Sequence, residues 1–280
     1  AGFMSVGAFS GIVMSMWLSK GMGLDNKTVV LLAAIITGGV AAGIAGVLIG
    51  IPVLRLRGDY LAIVTLAFGE IIRNVINCLY ISLDGSKLHV AFNNPNVAGK
   101  LLINGPAGAT GVSKIATFGM GFALVLFTLF VVLNLIDSRS GRAIMAIRDN
   151  RIAAEAMGLN VTKYKMMAFV TSAVLAGMAG ALYGLNFSTV AASKFKFDTS
   201  ILVLVFVVLG GIGNIRGSII SATLLTILPE LLRAFANYRM LIYAIVLILV
   251  MLATNNPTLR SMVQRIIPQK RGNKKEADEA

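Results

Sequence analysis

The chain has 280 residues, of which 57% are hydrophobic and 13% are charged, and its mean hydropathy is +0.83. Soluble domains carry roughly 25% charged residues, so this composition excludes a soluble globular class and indicates an integral membrane protein. The net charge of +13 comes from Lys and Arg that gather in a few loops, which is typical of cytoplasmic membrane loops and implies no nucleic-acid partner.

Two apolar segments open the chain, and a bilayer crossing needs about 20 such residues. Residues 2–19 predict a marginal span, and residues 28–53 predict a clear one. The glycines of the second segment fall on one side of a helix, which predicts close approach of a neighbouring helix: Gly39, Gly43, Gly46 and Gly50. Arg55 and Arg57 follow, so this end is predicted to lie in the cytoplasm.

A third apolar segment, residues 58–82, carries charged and amide side chains. On a helix they fall within an arc of roughly 100°: Asp59, Glu70, Arg73, Asn74 and Asn77. A lone charge near the bilayer centre costs at least about 2.5 kcal/mol, so this stripe is expected to face protein or water. Two interpretations stay open, a translocation pathway and a Glu70–Arg73 pair that satisfies itself between helices.

Residues 83–114 contain Asn, Gly and Pro throughout, which predicts an irregular external loop. Residues 115–136 predict another span. Thr162 is predicted to cap the next helix, residues 163–185, which carries a second face of small residues: Gly177, Gly180, Ala181 and Gly184.

The stretch between these two spans, residues 138–161, is polar and basic, and it is predicted to lie on the cytoplasmic side. Its far end, residues 149–159, predicts a short helix. Asp149 or Asn150 can cap the first N–H groups of this helix, and Gly158 supplies the left-handed turn that ends it.

On that short helix Ala154 and Gly158 fall on one side, with Ile147 nearby. A helix of this length cannot bury much or hold itself together. We interpret it as a protruding knob whose small residues let another protein approach, and the alternative is a solvated basic connection.

Residues 199–228 are apolar but are interrupted by a glycine cluster: Gly210, Gly211, Gly213 and Gly217. Arg216 takes the place of the last glycine of a dinucleotide fingerprint and no P-loop lysine follows, so nucleotide binding is rejected. The cluster instead predicts a broken helix or a tight turn between spans, and we predict that it takes part in gating.

Residues 239–254 predict the last span, and the polar residues 257–280 predict a disordered cytoplasmic tail. The fold class is therefore predicted to be all-α. The domain 1–256 is a polytopic transmembrane helical bundle with glycine-broken helices and about six to eight spans.

Three strings of residues resemble the permeases of high-affinity branched-chain amino acid ABC importers. The first is Leu56-Arg57-Gly58-Asp59-Tyr60-Leu-Ala-Ile-Val-Thr65-Leu-x-Phe-Gly69-Glu70-Ile-x-Arg73. The second is Arg142-Ala-x-x-Ala-Ile-Arg148-Asp149 with Ala153-Ala154-Glu155-x-x-Gly158. The third is Val208-Leu-Gly-Gly-x-Gly, followed by Gly217.

This resemblance implies that the stretch 138–161 carries a coupling helix that docks on an ATPase. The coupling residues would be Asp149, Ala153, Ala154, Glu155 and Gly158. It also implies the partners of such a permease: separate ABC ATPase subunits, a second homologous permease and an extracytoplasmic amino-acid-binding protein. The complex would lie in the lipid of the bacterial cell (inner) membrane, and a further helix would precede residue 1.

We therefore predict a permease subunit of an ATP-driven importer for branched-chain amino acids, which is not itself an enzyme and needs no cofactor. Two alternatives stay open: a related importer for urea or amides, and a secondary transporter in which Asp59, Glu70 and Arg73 carry a proton or ion. A membrane enzyme is the weakest alternative. Cys78 and His89 are the sole Cys and His, which leaves no catalytic triad and no histidine metal cluster.

Overall fold

A computed structural model of the protein describes residues 1–21, 23, 26–56, 59–84, 87–92, 100–231 and 248. The helices in this part are α1 (Gly2–Met16), α2 (Lys27–Val53), α3 (Asp59–Asn77), α4 (Phe118–Asp137), α5 (Arg139–Asp149), α6 (Arg151–Ala156), α7 (Val161–Gly184), α8 (Phe197–Gly210) and α9 (Ile215–Leu231). The strands are β1 (Leu79–Asp84), β2 (Lys87–Phe92), β3 (Lys100–Asn104), β4 (Gly108–Thr110) and β5 (Thr189–Val190).

By internal contacts the chain divides into two units, residues 1–199 and residues 200–280. In the described residues four helices are long and apolar enough to cross a membrane, and all lie in the first unit: residues 2–19, α2, α4 and α7. This confirms the predicted membrane bundle. The predicted span 239–254 and the tail 257–280 lie outside the described residues, apart from Ile248.

The centre of the first unit is a three-helix core of α1, α2 and α7, called the glycine core below. On α2 the predicted stripe faces α7, where Gly43 meets the Val174 side chain and Gly50 meets the Met166 side chain. A Cβ on Gly177 of α7 would come within 2.6 Å of the Gly38 carbonyl oxygen, closer than real Cβ atoms come. Both predicted small-residue faces are therefore confirmed. They bring the helix backbones close enough for many short van der Waals contacts.

Helix α1 completes the glycine core from the other side. Gly7 lies against Gly177, and Gly184 lies against Ile12. Because α1 meets α7 in the same chain order, these two helices run parallel, while α2 runs antiparallel to both. The interior they enclose is largely apolar, with Ala8, Ile12 and Leu185 completely buried, and it also contains the buried Ser5 and Ser15 of α1.

The segment predicted to be an irregular loop over 83–114 is largely a sheet in its described part, so that prediction is wrong. The strands form an antiparallel sheet in the order β2-β1-β3-β4-β5. Apolar residues alternate along β1, and Ile81 pairs with Val90 on one side and Ile103 on the other. Ile81 and Ile103 are buried against the bundle, so the sheet exists because one of its faces closes the core. Gly105 and Pro106 lie in the short 3₁₀ turn, Gly105–Ala107, that connects β3 to β4.

Two predicted details of the flanking helices also need correction. Helix α7 is capped by Asn160 and not by Thr162, since the Asn160 Oδ1 atom accepts from the Lys163 N–H at 3.1 Å. The third apolar segment ends as a helix at Asn77 and continues as β1, so its last residues belong to the sheet.

Helix α4 differs from the glycine core because none of its residues is buried. A cavity of about 640 Å³ separates it from α7, and Phe118, Phe122 and Leu182 are among the residues that line this cavity. The connection from α4 to α7 therefore starts from a helix that has little contact with the described part of the bundle.

The predicted break in the segment 199–228 is confirmed: α8 ends at Gly210 and α9 begins at Ile215. Gly211 and Gly213 have φ values of +91° and +87°, a left-handed conformation that side chains with a Cβ rarely adopt. A Cβ on Gly217 would overlap the Gly210 carbonyl oxygen, so the two helix ends meet through glycine.

Candidate functional site

The basic stretch between α4 and α7 begins with a sharp turn at Ser138. The Ser138 hydroxyl donates to the Leu135 carbonyl at 2.7 Å and accepts from the Gly141 N–H at 3.0 Å, so it closes α4 and caps α5. A Cβ on Gly141 would overlap the Leu135 carbonyl oxygen. Only glycine lets the two helices turn this tightly. The sequence interpretation missed α5 as a separate helix.

The predicted short helix over 149–159 is present as α6, and its start and end are closed by local hydrogen bonds. Asn150, not Asp149, is the cap, since its Oδ1 accepts from the Ala153 N–H at 3.1 Å. Asp149 is the last residue of α5. At the other end Gly158 has a φ of +80°, and the Leu159 N–H donates to the Ala154 carbonyl at 3.1 Å. These bonds close the helix in the way left-handed glycine caps do.

One side of α6 is buried in a small apolar cluster. Ile147 of α5, Ala154 of α6 and Val161 of α7 are buried together, with Leu159 and Tyr164 packed against them. The predicted proximity of Ile147 and Ala154 is therefore confirmed. Ala154 faces inward, so it holds α6 in place and is not on the open side of the knob.

The open side of α6 carries residues that the sequence interpretation did not single out. Ile152 is 80% exposed and Met157 is 83% exposed, although both side chains are large and apolar. For Ile152 the signal was available in the sequence, because it falls on the side of the helix opposite Ile147 and Ala154. Met157 follows Ala154 by three residues and is exposed at the C-terminal end of α6. We call the exposed group the α6 tip: Ile152, Ala153, Glu155, Met157 and Gly158.

The apolar side chains of the α6 tip give it a physical reason to bind a protein. Burying one such side chain is worth about 1.5–3 kcal/mol, and Ile152 within α6 and Met157 at its C-terminal end are exposed together. A Cβ on Gly158 would meet nothing within 4 Å, so a partner could approach the backbone there.

The charges around the tip are paired within the chain. The Arg151 Nε atom donates to Glu155 Oε1 at 2.9 Å across one turn of α6, and Arg148 pairs with Asp149 at 2.9 Å. All four side chains are more than a third exposed, so solvent screens these pairs. Glu155 of the tip and the neighbouring Asp149 are thus each paired with an arginine of the same chain.

The charged stripe of α3 has a definite geometry at its centre. The Arg73 Nε atom donates to Glu70 Oε2 at 2.7 Å, so the pair proposed from the sequence forms. Asn74 is exposed and Asn77 is half-buried, whereas the side chain of Asp59 lies outside the described part. The stripe's role as a translocation path stays a prediction. So does the gating role of the glycine cluster 210–217.

Comparison with known proteins identifies the family of most of the chain. Residues 1–251 match the profile of the family described as branched-chain amino acid transport system, permease component. The high-affinity branched-chain amino acid transport system permease protein LivM of Salmonella typhimurium is 33% identical, over 90% of this chain and 60% of the relative. The chain thus spans about 60% of the length of such relatives.

More distant similarities extend to an archaeon and to a sugar importer. The probable branched-chain amino acid transport permease protein LivM of Methanocaldococcus jannaschii is 27% identical over 72% of this chain and 56% of its own length. The fructose import permease protein FruG of Bifidobacterium longum is 29% identical over 44% of this chain and 38% of its own. No solved structure matches the chain significantly.

Proposed function

The chain belongs to the family of branched-chain amino acid transport permeases, and from that premise we propose that it is the membrane-spanning subunit of an ATP-driven importer. In this proposal separate ATPase subunits dock on the α6 tip and drive the permease. The observation that carries it is the tip itself: a capped helix held on one side by an apolar cluster, with Ile152 and Met157 exposed on the other.

The proposed orientation places α6 in the cytoplasm and the sheet outside the cell. Support comes from the basic residues around α6 and from the order of the core helices, since α7 starts beside α6 and ends beside the sheet. In this proposal the protein lies in the bacterial inner membrane, and its C-terminal tail lies in the cytoplasm.

The proposed cargo is the branched-chain amino acids, which are hydrophobic. The LivM relatives are named as branched-chain amino acid permeases, which supports this choice. The similar FruG protein is named as a fructose permease, so similar permeases serve different solutes. Urea and short amides are the alternative cargo that the sequence left open. The proposed complex also contains a second homologous permease and an extracytoplasmic binding protein that delivers the amino acid.

The proposed mechanism is a shift between outward-open and inward-open forms of the permease. The ATPase pair moves the α6 tip when it binds and hydrolyses ATP. The buried cluster of Ile147, Ala154 and Val161 would pass this displacement to α5 and to the start of α7. The ATPase pair can shift the equilibrium between the two forms only if it binds one of them more tightly. Its contact with the α6 tip must therefore differ between them.

Substitutions at the tip test this function directly. Ile152→Asp and Met157→Asp each place a charge where an apolar contact is needed, and Ile152→Leu is the matched control that keeps the contact apolar. We expect the Asp variants to lower ATP-driven leucine uptake by at least tenfold in reconstituted vesicles, with loss of the ATPase subunits on purification. Leucine capture by the binding protein should not change.

The outcome against the proposal is an Ile152→Asp permease that still retains the ATPase and transports at the control rate. A second candidate, the ion-coupled carrier built on Glu70 and Arg73, would gain support if uptake ran on a proton gradient in vesicles without any ATPase subunit.

A further inference from the structure

The start of α8 is held against α3 by one carboxylate that comes from far away in the sequence. The Glu70 Oε1 atom accepts from the Phe197 N–H at 3.0 Å, across 127 residues of chain. Phe197 is the first residue of α8, and it belongs to the same unit as Glu70. We propose that Glu70 is a positioning residue: its carboxylate caps the first turn of α8 and fixes the start of that helix on α3.

The capping role accounts for the hydrogen-bond partners of both oxygens of the Glu70 carboxylate. Oε1 is occupied by the α8 backbone, and Oε2 accepts from the Arg73 Nε at 2.7 Å with the Arg73 Nη2 also paired to it. The guanidinium has donors but no acceptor, so Arg73 cannot cap a helix itself. Its part is to hold the Glu70 side chain in the orientation in which Oε1 reaches Phe197.

The local sequence does not provide this cap. The residue before α8 is Lys196, whose side chain has no acceptor, and the Thr199 hydroxyl donates backwards to the Lys194 carbonyl. The first N–H groups of a helix need acceptors, and a carboxylate is also favoured there by the helix dipole. Asp198 already supplies a negative charge in the first turn, and the carboxylate from α3 adds the acceptor for the Phe197 N–H.

An apolar contact beside the cap supports the same role. Phe195, two residues before α8, is 3% exposed, and its ring lies 5.7 Å from the Tyr183 ring of α7 and 6.4 Å from the Phe9 ring of α1. The approach to α8 is thus packed on the glycine core while its first N–H is bonded to α3. The start of α8 is attached to three helices of the bundle at once.

A capping role can be distinguished by experiment from the proton- or ion-carrying role of Glu70 that the sequence left open. A residue that carries protons must give up its partners in each cycle. A cap must keep an acceptor on Phe197 and need not be charged. The amide of Gln retains that acceptor, whereas a residue without an acceptor loses it.

The experiment compares three variants of the full chain in its assembled complex in lipid nanodiscs. Glu70→Gln keeps an acceptor without charge, and Glu70→Leu removes the acceptor. The double variant Glu70→Arg/Arg73→Glu restores opposite charges on α3 but places a donor-only side chain against Phe197. The readouts are hydrogen–deuterium exchange of residues 196–203 and ATP-driven uptake, with exchange in α7 as the test of folding.

We expect Glu70→Gln to keep exchange of 196–203 within about threefold of the unmodified protein and to keep uptake. Glu70→Leu and the double variant should each raise that exchange at least tenfold while α7 stays protected. If Glu70→Leu unfolds α7, the shorter Glu70→Asp variant replaces it, and it should show the same local increase because its carboxylate falls short of Phe197.

Three results would overturn the assignment. Unchanged exchange in Glu70→Leu or Glu70→Asp would mean that the carboxylate does not secure α8. Full recovery in the double variant would mean that the ion pair alone matters. Loss of uptake in Glu70→Gln with normal protection of 196–203 would make Glu70 a charge carrier.

Discussion

The glycine core and the segment from α4 to α6 show opposite ways of building a membrane protein. In the core, α1, α2 and α7 touch through glycine and alanine, and Gly177 leaves no space for a side chain. In α4 no residue is buried, and a cavity of about 640 Å³ lies between it and α7. The α6 tip is joined to both, through α5 to the loosely packed helix and through Val161 to the core.

This difference separates the part that holds the fold from the part that can change. Close packing makes the core stiff, because any displacement there costs many contacts at once. Displacing α4 costs few contacts in the described part of the bundle. We infer that motion imposed at α6 is taken up mainly by α4 and little by the core.

Gly177→Leu should give the largest effect, because its Cβ would lie within 2.6 Å of the Gly38 carbonyl and closer still to the Ala42 side chain. Overpacking of a dense core costs typically about 1–3 kcal/mol, and here both neighbours are backbone or a short side chain that cannot move aside. We expect loss of the monodisperse folded peak in detergent.

Gly119→Leu is the control for this change, since a Cβ at Gly119 of α4 meets nothing within 4 Å. It should keep the peak and the unfolding midpoint. Equal damage from both substitutions would remove the distinction between the core and α4.

Gly141→Val should give the next largest effect, confined to the turn between α4 and α5. The added side chain overlaps the Leu135 and Ile136 carbonyls, so the turn must open. We expect faster limited proteolysis within 138–150 and a fall in ATP-driven uptake, at a nearly unchanged unfolding midpoint. Ala146→Val, on the exposed side of α5, adds a similar bulk without overlap and should behave as the unmodified protein.

Asn150→Ala should weaken α6 alone. Removing a side-chain cap costs typically about 1 kcal/mol, so the exchange of residues 151–156 should rise by roughly fivefold. Asn150→Asp retains an acceptor for the Ala153 N–H and is the matched control. Equal exchange in the Ala and Asp variants would show that the buried cluster, and not the cap, holds this helix.

Glu155→Gln should have the smallest effect on stability. The Arg151–Glu155 pair is i,i+4 and more than a third exposed, and such helix pairs contribute about 0.3–0.5 kcal/mol that salt reduces. A double-mutant cycle with Arg151→Gln, read by exchange of α6, should give a coupling of that size at low salt and almost none at high salt. A coupling energy that does not change with salt would show that solvent does not screen the Arg151–Glu155 pair.

The features that the sequence predicted correctly are those set by spacing along one segment. The stripe of Gly39 to Gly50, the break at 210–217 and the left-handed Gly158 each follow from periodicity or from a local backbone requirement. The stripes predicted a close neighbour for each helix, and the structure shows that α2 and α7 are packed against each other.

The features that were missed depend on contacts between distant segments. The strands after residue 83 were mistaken for a loop because the Asn, Gly and Pro residues of this stretch outweighed its short apolar runs. The strands β2 and β3 are formed by pairing with β1, which begins before that stretch. The inward side of Ala154 follows from Val161, beyond the end of α6. Nothing near Phe197 in the sequence points to Glu70.

The pairing of β4 with β5 has a mechanical consequence. It joins the segment before α4 to the segment after α7, through Ala109 with Val190 and through the Val112 N–H, which donates to the Ser188 carbonyl at 3.1 Å. The ends of these two helices that lie next to the sheet are therefore joined, while α5 and α6 connect their other ends. A displacement of α6 would make α4 pivot about its sheet end, so the largest movement falls at the end next to α5.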